Sequence, residues 1–207
     1  MSNHGVLYIV AAPSGGGKTS LVKNLLASTG DVVVSVSHTT RPKRPGDQDG
    51  VDYFFISEEE FSCMVQAQAF IEHADVFGYH YGTSKQWVMD KLRSGTDIIL
   101  EIDWQGSRQI RQLFAEAISI FILPPSVEVL RQRLVDRNQD SREVIAHRMQ
   151  LAQSEMRHYY EFDYLIINDD FAVAAESLRS IVISNRLKTA FQAHVHEKLL
   201  AELVGNS

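Results

Sequence analysis

Cysteine is almost absent from this sequence of 207 residues, which contains only Cys63. A single thiol excludes a disulfide within the chain and favours a reducing compartment. Long apolar runs are also missing, since none approaches the ~20 residues that span a bilayer. Residues 1–5 lack the basic and apolar regions of a signal peptide. These absences predict a cytoplasmic protein without a membrane partner.

Positive charge is not in excess either. The chain has 20 lysine and arginine residues against 26 acidic residues, which gives a net charge of −6 at pH 7. This balance argues against a general nucleic-acid-binding protein, which would carry a basic surface. The hydrophobic content of 44% is ample for a core, and the length fits one domain with or without inserted subdomains.

The most informative stretch is a glycine-rich segment near the start of the chain. The apolar run Leu7–Val10 comes first, residues 12–19 carry three consecutive glycines, and a helical pattern follows. This is the layout of a phosphate-binding loop between a strand and a helix N-terminus, whose N–H groups face an anion. Lys18 would contact the outer phosphates, and the Thr19 hydroxyl could ligate Mg²⁺. The strict pattern has glycine where Ala12 stands, so a flexible glycine turn is the alternative.

Apolar patterns and capping residues predict an α/β fold with a parallel sheet and a small, mostly β insertion over residues 34–84. The predicted strands are Leu7–Val10, Val32–Ser37, Val51–Ile56, Phe70–Phe77, Thr96–Asp103, Ile118–Leu123 and Tyr164–Ile167. Helices are predicted after the loop, from caps at Ser57, Ser84 and Ser126, from Asp103 to Phe114, from an Asp140–Glu143 cap, and over most of Phe171–Leu203. The segment Gly78–Thr83 is interpreted as turn-like.

Two basic concentrations lie outside the glycine-rich segment. The loop His38–Gly46 contains Arg41, Lys43 and Arg44, and residues 131–148 contain five arginines. Each could be an ordinary solvated surface, but arginine also presents a planar fork that suits phosphate oxygens. A phosphate loop with two separate arginine groups favours phosphoryl transfer between nucleotides, which depends on positioning and charge neutralisation. An acceptor phosphate is already ionised, which fits a sequence without a convincing Ser–His–Asp or Cys–His arrangement.

Six blocks of the sequence resemble guanylate kinase, in the order of that family, at residues 12–19, 37–46, 52–55, 81–83, 101–106 and 167–170. The most specific is Thr-Thr-Arg-x-x-Arg-x-Gly at residues 39–46. The resemblance implies a P-loop NTPase-type parallel core (1–33, 96–128 and 160–207), an inserted GMP-binding subdomain (34–90) and a helical lid (130–155). It also implies Mg²⁺-dependent transfer from ATP to GMP, giving ADP and GDP.

The resemblance implies the following site residues. ATP would contact Ala12, Pro13, Ser14, Gly15, Gly16, Gly17, Lys18, Thr19, Ser20 and Asn168, with Mg²⁺ at Thr19. The GMP phosphate would contact Ser37, Arg41, Arg44, Tyr53 and Tyr81, and guanine would contact Glu72, Thr83 and Asp103. The catalytic residues would be Lys18, Arg41, Arg133, Arg137 and Arg148.

The chemistry of guanine agrees with this assignment, because a carboxylate accepts well from its N1–H and N2–H₂ donors. Two alternatives stay open: an inactive interaction module of the same fold, and a kinase for ribose 1,5-bisphosphate. One departure concerns the lid, where Asp136 and Asn138 flank Arg137 in place of the usual glycine. The C-terminal residues Phe191, Val195, Leu199 and Leu203 form an apolar stripe, a candidate contact between copies of the chain.

Overall fold

The computed structural model describes residues 5–76, 78–136 and 142–205, without the side chains of 142 and 143. The strands are β1 (Leu7–Ala11), β2 (Val32–Val34), β3 (His38–Thr39), β4 (Phe54–Phe55), β5 (Phe70–Val76), β6 (Tyr79–Ser84), β7 (Asp97–Glu101), β8 (Ile118–Leu123) and β9 (Tyr164–Ile167). The helices are α1 (Lys18–Ser28), α2 (Glu58–Gln66), α3 (Lys85–Arg93), α4 (Trp104–Leu113), α5 (Val127–Asp136), α6 (Arg142–Met156), α7 (Phe171–Arg186), α8 (Thr189–Val195) and α9 (Glu197–Val204).

Five parallel strands form the central sheet in the order β2-β7-β1-β8-β9. Every residue of β1 is buried, because helices cover both faces of the sheet. Tyr8 and Val10 pack with residues of α1 and α7, whereas Leu7 and Ile9 pack on the other face with residues of α3 and α4. The predicted parallel α/β core is therefore confirmed. The carboxyl ends of β1 and β7 lie side by side, with Val10 opposite Glu101.

A second, four-stranded sheet in the order β4-β3-β6-β5 is inserted between β2 and β7. The turn-like interpretation of Gly78–Thr83 is wrong, because β6 is an inner strand that pairs with both β3 and β5. Gly82 is required there by packing, since a Cβ at this position would lie 2.9 Å from the ring of Phe70. A sequence pattern cannot distinguish such a glycine from one that makes a turn.

The predicted strand Val32–Ser37 is shorter than expected, because the chain changes sheets within it. The Ser35 N–H still donates to the Ile99 carbonyl of the central sheet, while the Ser37 carbonyl accepts from Phe54 in the second sheet. As a result, Val32–Ser37 contributes only β2 to the central sheet. The predicted strand Val51–Ile56 is also shorter than expected and contributes only β4.

Several predicted helix starts are confirmed by their caps. Ser57 and Glu60 form a complete capping box, and the hydroxyl of Ser84 accepts from the Trp87 N–H. The Ser126 hydroxyl accepts from the Val129 N–H at the start of α5. The predicted Asp140–Glu143 cap lies outside what the structure describes. These caps are local interactions of three or four residues, which is why the sequence suffices to find them.

The prediction of a single long helix over most of Phe171–Leu203 is wrong, since three helices occupy this segment. Helix α7 ends at Arg186, whose side chain donates to Asp97 and to the Gly30 carbonyl. Lys188 then has an extended backbone, with ψ 138°. Contacts far away in the sequence therefore anchor the end of α7, and an apolar pattern does not report them. In the described part of the chain, no helix is long and apolar enough to cross a membrane.

Candidate active site

A cleft of about 530 Å³ lies where the glycine-rich loop, the end of β7, the second sheet and α6 meet. Its lining includes the whole loop from Ala12 to Thr19. It also includes the predicted residues Ser37, Arg41, Arg44, Tyr53, Glu72, Tyr81, Asp103 and Arg148. The structure therefore brings together most of the residues that the sequence proposed for two different nucleotides.

The loop has the tight curl that its glycines allow. Gly15 and Gly17 have φ of +87° and +95°, a region that favours glycine, and the Gly16 N–H donates to the Pro13 carbonyl at 2.8 Å. The buried amide of Asn168 donates to the Gly16 carbonyl at 2.9 Å, and a Cβ on Gly17 would lie 2.2 Å from its nitrogen. Asn168 therefore supports the loop from behind and does not line the cleft. Its contact with adenine stays a prediction.

An acidic side chain faces the start of α1 from the neighbouring strand. The Thr19 hydroxyl donates to the Oε2 atom of Glu101 at 2.9 Å. This contact follows from the register of the sheet, which places the last residue of β7 beside the end of β1. Glu101 belongs to the acidic end of a predicted strand, but the sequence did not single it out as a site residue.

The basic loop holds Arg41 firmly, with only 7% of the residue exposed. Its guanidinium donates to the Pro42 carbonyl at 2.9 Å and to Asp47 at 2.8 Å, and it lies over the ring of Tyr53. Burial raises the pKa of Tyr53 to about 12, so its hydroxyl stays protonated at neutral pH. Arg44, in contrast, is exposed. We refer to Arg41 and Arg44 as the arginine clamp.

Glu72 is almost fully buried at the far side of the cleft, with 3% exposed. Its Oε1 accepts from the Thr83 hydroxyl at 2.6 Å, and a Cβ on Gly106 would lie 2.7 Å from its Oε2. Burial and the nearby charge of Asp103 raise the pKa of Glu72 to about 7, although the Thr83 contact opposes this rise. Asp103 caps α4 by accepting from the Gly106 N–H at 2.9 Å. Thr83 does not line the cleft, but its hydroxyl contacts Glu72 there.

Helix α6 supplies a second carboxylate, Glu155, which was not among the site residues predicted from the sequence. Glu155 lines the cleft two helical turns beyond Arg148, on the same face of the helix. Burial and the charge of Asp103 raise its pKa to about 7, while a hydrogen bond from the Ser14 N–H and the charge of Lys18 oppose the rise. No local pattern marks Glu155, because its neighbours come from distant parts of the chain.

Three other predicted residues are absent from the cleft lining or fall outside the described chain. Ser20 is exposed on α1 and is absent from the cleft lining. Arg133 lies near the loop, where Nη2 donates to the Asn168 carbonyl at 2.9 Å. Arg137 falls outside the residues that the structure describes.

The parallel sheet, with a glycine loop between β1 and α1, defines a P-loop kinase fold. The guanylate kinase family model matches residues 4–185. A guanylate kinase of Legionella pneumophila (strain Lens) is 57% identical over 204 residues, which cover 99% of this chain and 98% of that protein. One of Coxiella burnetii (strain RSA 493 / Nine Mile phase I) is 55% identical over 202 residues, covering 98% of both.

A solved structure gives the same result. The crystal structure of guanylate kinase from Anaplasma phagocytophilum matches with a TM-score of 0.82 at 32% identity, covering 100% of this chain and 99% of that chain. The chain belongs to the guanylate kinase family.

Proposed function

We propose that this protein is a guanylate kinase that transfers the γ-phosphoryl group of ATP to GMP and releases ADP and GDP. One observation supports this most directly. A single cleft is lined by the phosphate loop, by the buried Arg41 and by the buried Glu72. Anion-binding groups from two separate segments suit two nucleotides that react phosphate to phosphate, and a buried carboxylate suits a base that presents N–H donors.

The donor nucleotide would occupy the loop. The backbone N–H groups of the loop and Lys18 would hold the β and γ phosphates, with Arg148 approaching from α6. Arg133 has one guanidinium nitrogen, Nη1, that is buried and has no hydrogen-bond partner among the described residues. A buried unpaired donor is unfavourable, so a phosphate oxygen would give it a partner. Arg137 keeps its predicted role on the same phosphates.

Mg²⁺ is expected to accompany ATP. The Thr19 hydroxyl and the Glu101 carboxylate lie 2.9 Å apart beside the loop. Oxygen ligands of this kind, few in number and completed by water and phosphate, are what Mg²⁺ prefers. Thr19 and Glu101 therefore fit the ion and would hold it. When bound, it would neutralise charge on the β and γ phosphates.

The acceptor phosphate would lie against the arginine clamp, with hydroxyl groups from Ser37, Tyr53 and Tyr81 nearby in the cleft. Arginine donates two parallel hydrogen bonds to phosphate oxygens, and such charge-assisted bonds are the strong ones. Because the residue at position 41 is buried and fixed by two hydrogen bonds, little side-chain entropy remains to be lost when the phosphate binds.

Guanine recognition would depend on Glu72, with Thr83 and Asp103 beside it. One oxygen of Glu72 already accepts from Thr83, which orients the carboxylate. Its remaining lone pairs would accept from the N1–H and N2–H₂ groups of guanine. Adenine has neither donor, so it would leave a buried carboxylate unpaired, at a cost of about 1–3 kcal/mol.

The transfer itself requires alignment and charge rather than a general base. An ionised oxygen of the GMP phosphate would bond to the γ-phosphorus of ATP while the bond to the β–γ bridging oxygen breaks. ADP leaves with that oxygen. Segments from three parts of the chain surround the cleft, and their approach would exclude water from the reacting group.

The decisive experiment compares kcat/KM for GMP, AMP and ribose 1,5-bisphosphate as acceptors, with ATP as donor. We expect GMP to be preferred over both by at least tenfold. Preference for the sugar phosphate would assign the protein to a different reaction. Absence of turnover with all three would indicate an interaction module that has the fold without the activity.

Two further expectations stay predictions. The first is a cytoplasmic location. The second is contact between copies of the chain through α9, where Leu199 and Leu203 are exposed. Sedimentation of the native chain and of Leu203→Lys would test this contact, and identical sedimentation of the two as monomers would exclude it.

A further inference from the structure

The turn that follows the arginine clamp contains a carboxylate to which the proposed reaction assigns no role. The N–H of Asp47 donates to the Arg44 carbonyl at 3.1 Å, which closes a four-residue turn. Gly46 has φ of +94° and follows Pro45, as in a type II turn. The turn therefore brings the side chain of Asp47 back toward the clamp.

One oxygen of Asp47 contacts both clamp residues. Its Oδ2 accepts from Nη2 of Arg41 at 2.8 Å and from the backbone N–H of Arg44 at 2.9 Å. Burial acts to raise the pKa of Asp47, but these two donors outweigh it and lower the pKa below its usual value. The carboxylate is therefore ionised across the neutral range.

An ionised carboxylate beside a phosphate site is unfavourable by itself, because like charges repel. Asp47 nevertheless lines the same cleft as the clamp. Two roles could account for it, and they have opposite consequences. A carboxylate that substitutes for the ligand's phosphate would compete with GMP, whereas a carboxylate that orients the arginines would help GMP to bind.

We infer that Asp47 is a positioning residue that holds Arg41 and the Arg44 backbone in the geometry that receives the acceptor phosphate. The shared oxygen favours this role over competition. A competing carboxylate has to leave when the ligand arrives, but release of Asp47 would also break its bond to the Arg44 N–H and loosen the turn. The guanidinium of Arg41 has further N–H groups that Asp47 and Pro42 do not use.

The inference rests on the proposed function, and Asp47→Ala and Asp47→Asn test it in the full chain. Steady-state assays would vary GMP and ATP separately, and calorimetry would measure the Kd of GMP without ATP. Alanine removes both contacts, so we expect the KM and Kd for GMP to rise at least tenfold, with less than a twofold change in the KM for ATP. Asparagine keeps one acceptor oxygen, so its effect should be intermediate.

Glu60→Ala is a matched control. Glu60 also accepts a backbone hydrogen bond in the inserted region, from Ser57 at 2.8 Å, but it contacts no arginine in the described structure. This variant should lower the melting temperature slightly while leaving both KM values unchanged.

Tighter GMP binding in Asp47→Ala would show competition and overturn the inference. An unchanged Kd for GMP would overturn it as well, and so would equal losses toward GMP and ATP. If alanine prevents folding, the asparagine variant decides by the same measurements. Absence of GMP turnover by the native protein would refute the proposed function, while the Kd series would still decide the role of Asp47.

Discussion

Substitution of Glu72 by glutamine should weaken the preference for GMP over AMP and should make the free protein more stable to denaturant. The carboxylate is 3% exposed and would accept two donors from guanine. Glutamine offers one acceptor and one donor, so one guanine donor would face an N–H group in a buried site. An unsatisfied buried polar group costs about 1–3 kcal/mol, which corresponds to a loss of about 5- to 150-fold in kcat/KM for GMP.

The same substitution should help AMP, because the glutamine amide can donate to N1 of adenine. The ratio of kcat/KM for GMP over AMP should therefore fall in Glu72→Gln. Glu155→Gln is the matched control, because it removes a second carboxylate of raised pKa from the loop side of the cleft. It should leave that ratio unchanged.

The pH dependence supplies a second measurement. Only ionised Glu72 accepts both guanine donors, and its pKa is raised to about 7. For the native protein, kcat/KM for GMP should therefore fall as the pH drops from 8 to 6. The phosphate of GMP also titrates near pH 6, but this effect persists in Glu72→Gln. The native protein should therefore lose more kcat/KM between pH 8 and pH 6 than Glu72→Gln does, and the difference between the two profiles is the contribution of Glu72.

The pH dependence of stability should have the opposite sign, because the native protein should become less stable as the pH rises. Native Glu72 holds its proton to higher pH than the unfolded chain does, so its contribution to the unfolding free energy falls as the pH rises from about 4.5 to about 7. Above that range, the ionised group destabilises the free protein on the order of 3 kcal/mol. Glu72→Gln should therefore unfold at a higher denaturant concentration at pH 8. An unchanged GMP/AMP ratio with an unchanged pH profile would refute this role.

Other substitutions test the loop, the clamp and the packing around Glu72. Lys18→Met should lower kcat by about 10²- to 10³-fold with little change in melting temperature; a near-normal kcat would contradict the role of the loop. Arg41→Ala should raise the KM for GMP by about 10- to 100-fold and affect the KM for ATP much less; equal KM effects would contradict the clamp. Gly106→Ala should weaken GMP use, because its Cβ would lie 2.7 Å from Glu72, whereas Gly30→Ala, with open space around it, should not.

The positions of the central strands along the chain and the starts of the main helices could be predicted from the sequence, because these features depend on nearby residues. Buried strands such as Leu7–Ala11 are continuous runs without charged residues, and the Ser57 cap needs only Glu60 three residues later. The glycine-rich loop is likewise defined by a short spacing. Local free energies are enough to specify each of these features, which is why the structure reproduces them.

The contacts within the cleft were decided by tertiary structure. Thr19 and Glu101 are separated by 82 positions in the sequence. The parallel register of β1 and β7 brings the Thr19 hydroxyl to 2.9 Å from the Glu101 carboxylate. Burial, which no local pattern reports, raises the pKa of Glu72, whose carboxylate lies against Thr83 of β6 and Gly106 of α4. The C-terminal helices show the same principle, because the end of α7 lies where Arg186 donates to the distant Asp97, a contact that the apolar pattern does not report. Residue spacing therefore specified which chemical groups the chain offers, and long-range packing decided which of them meet.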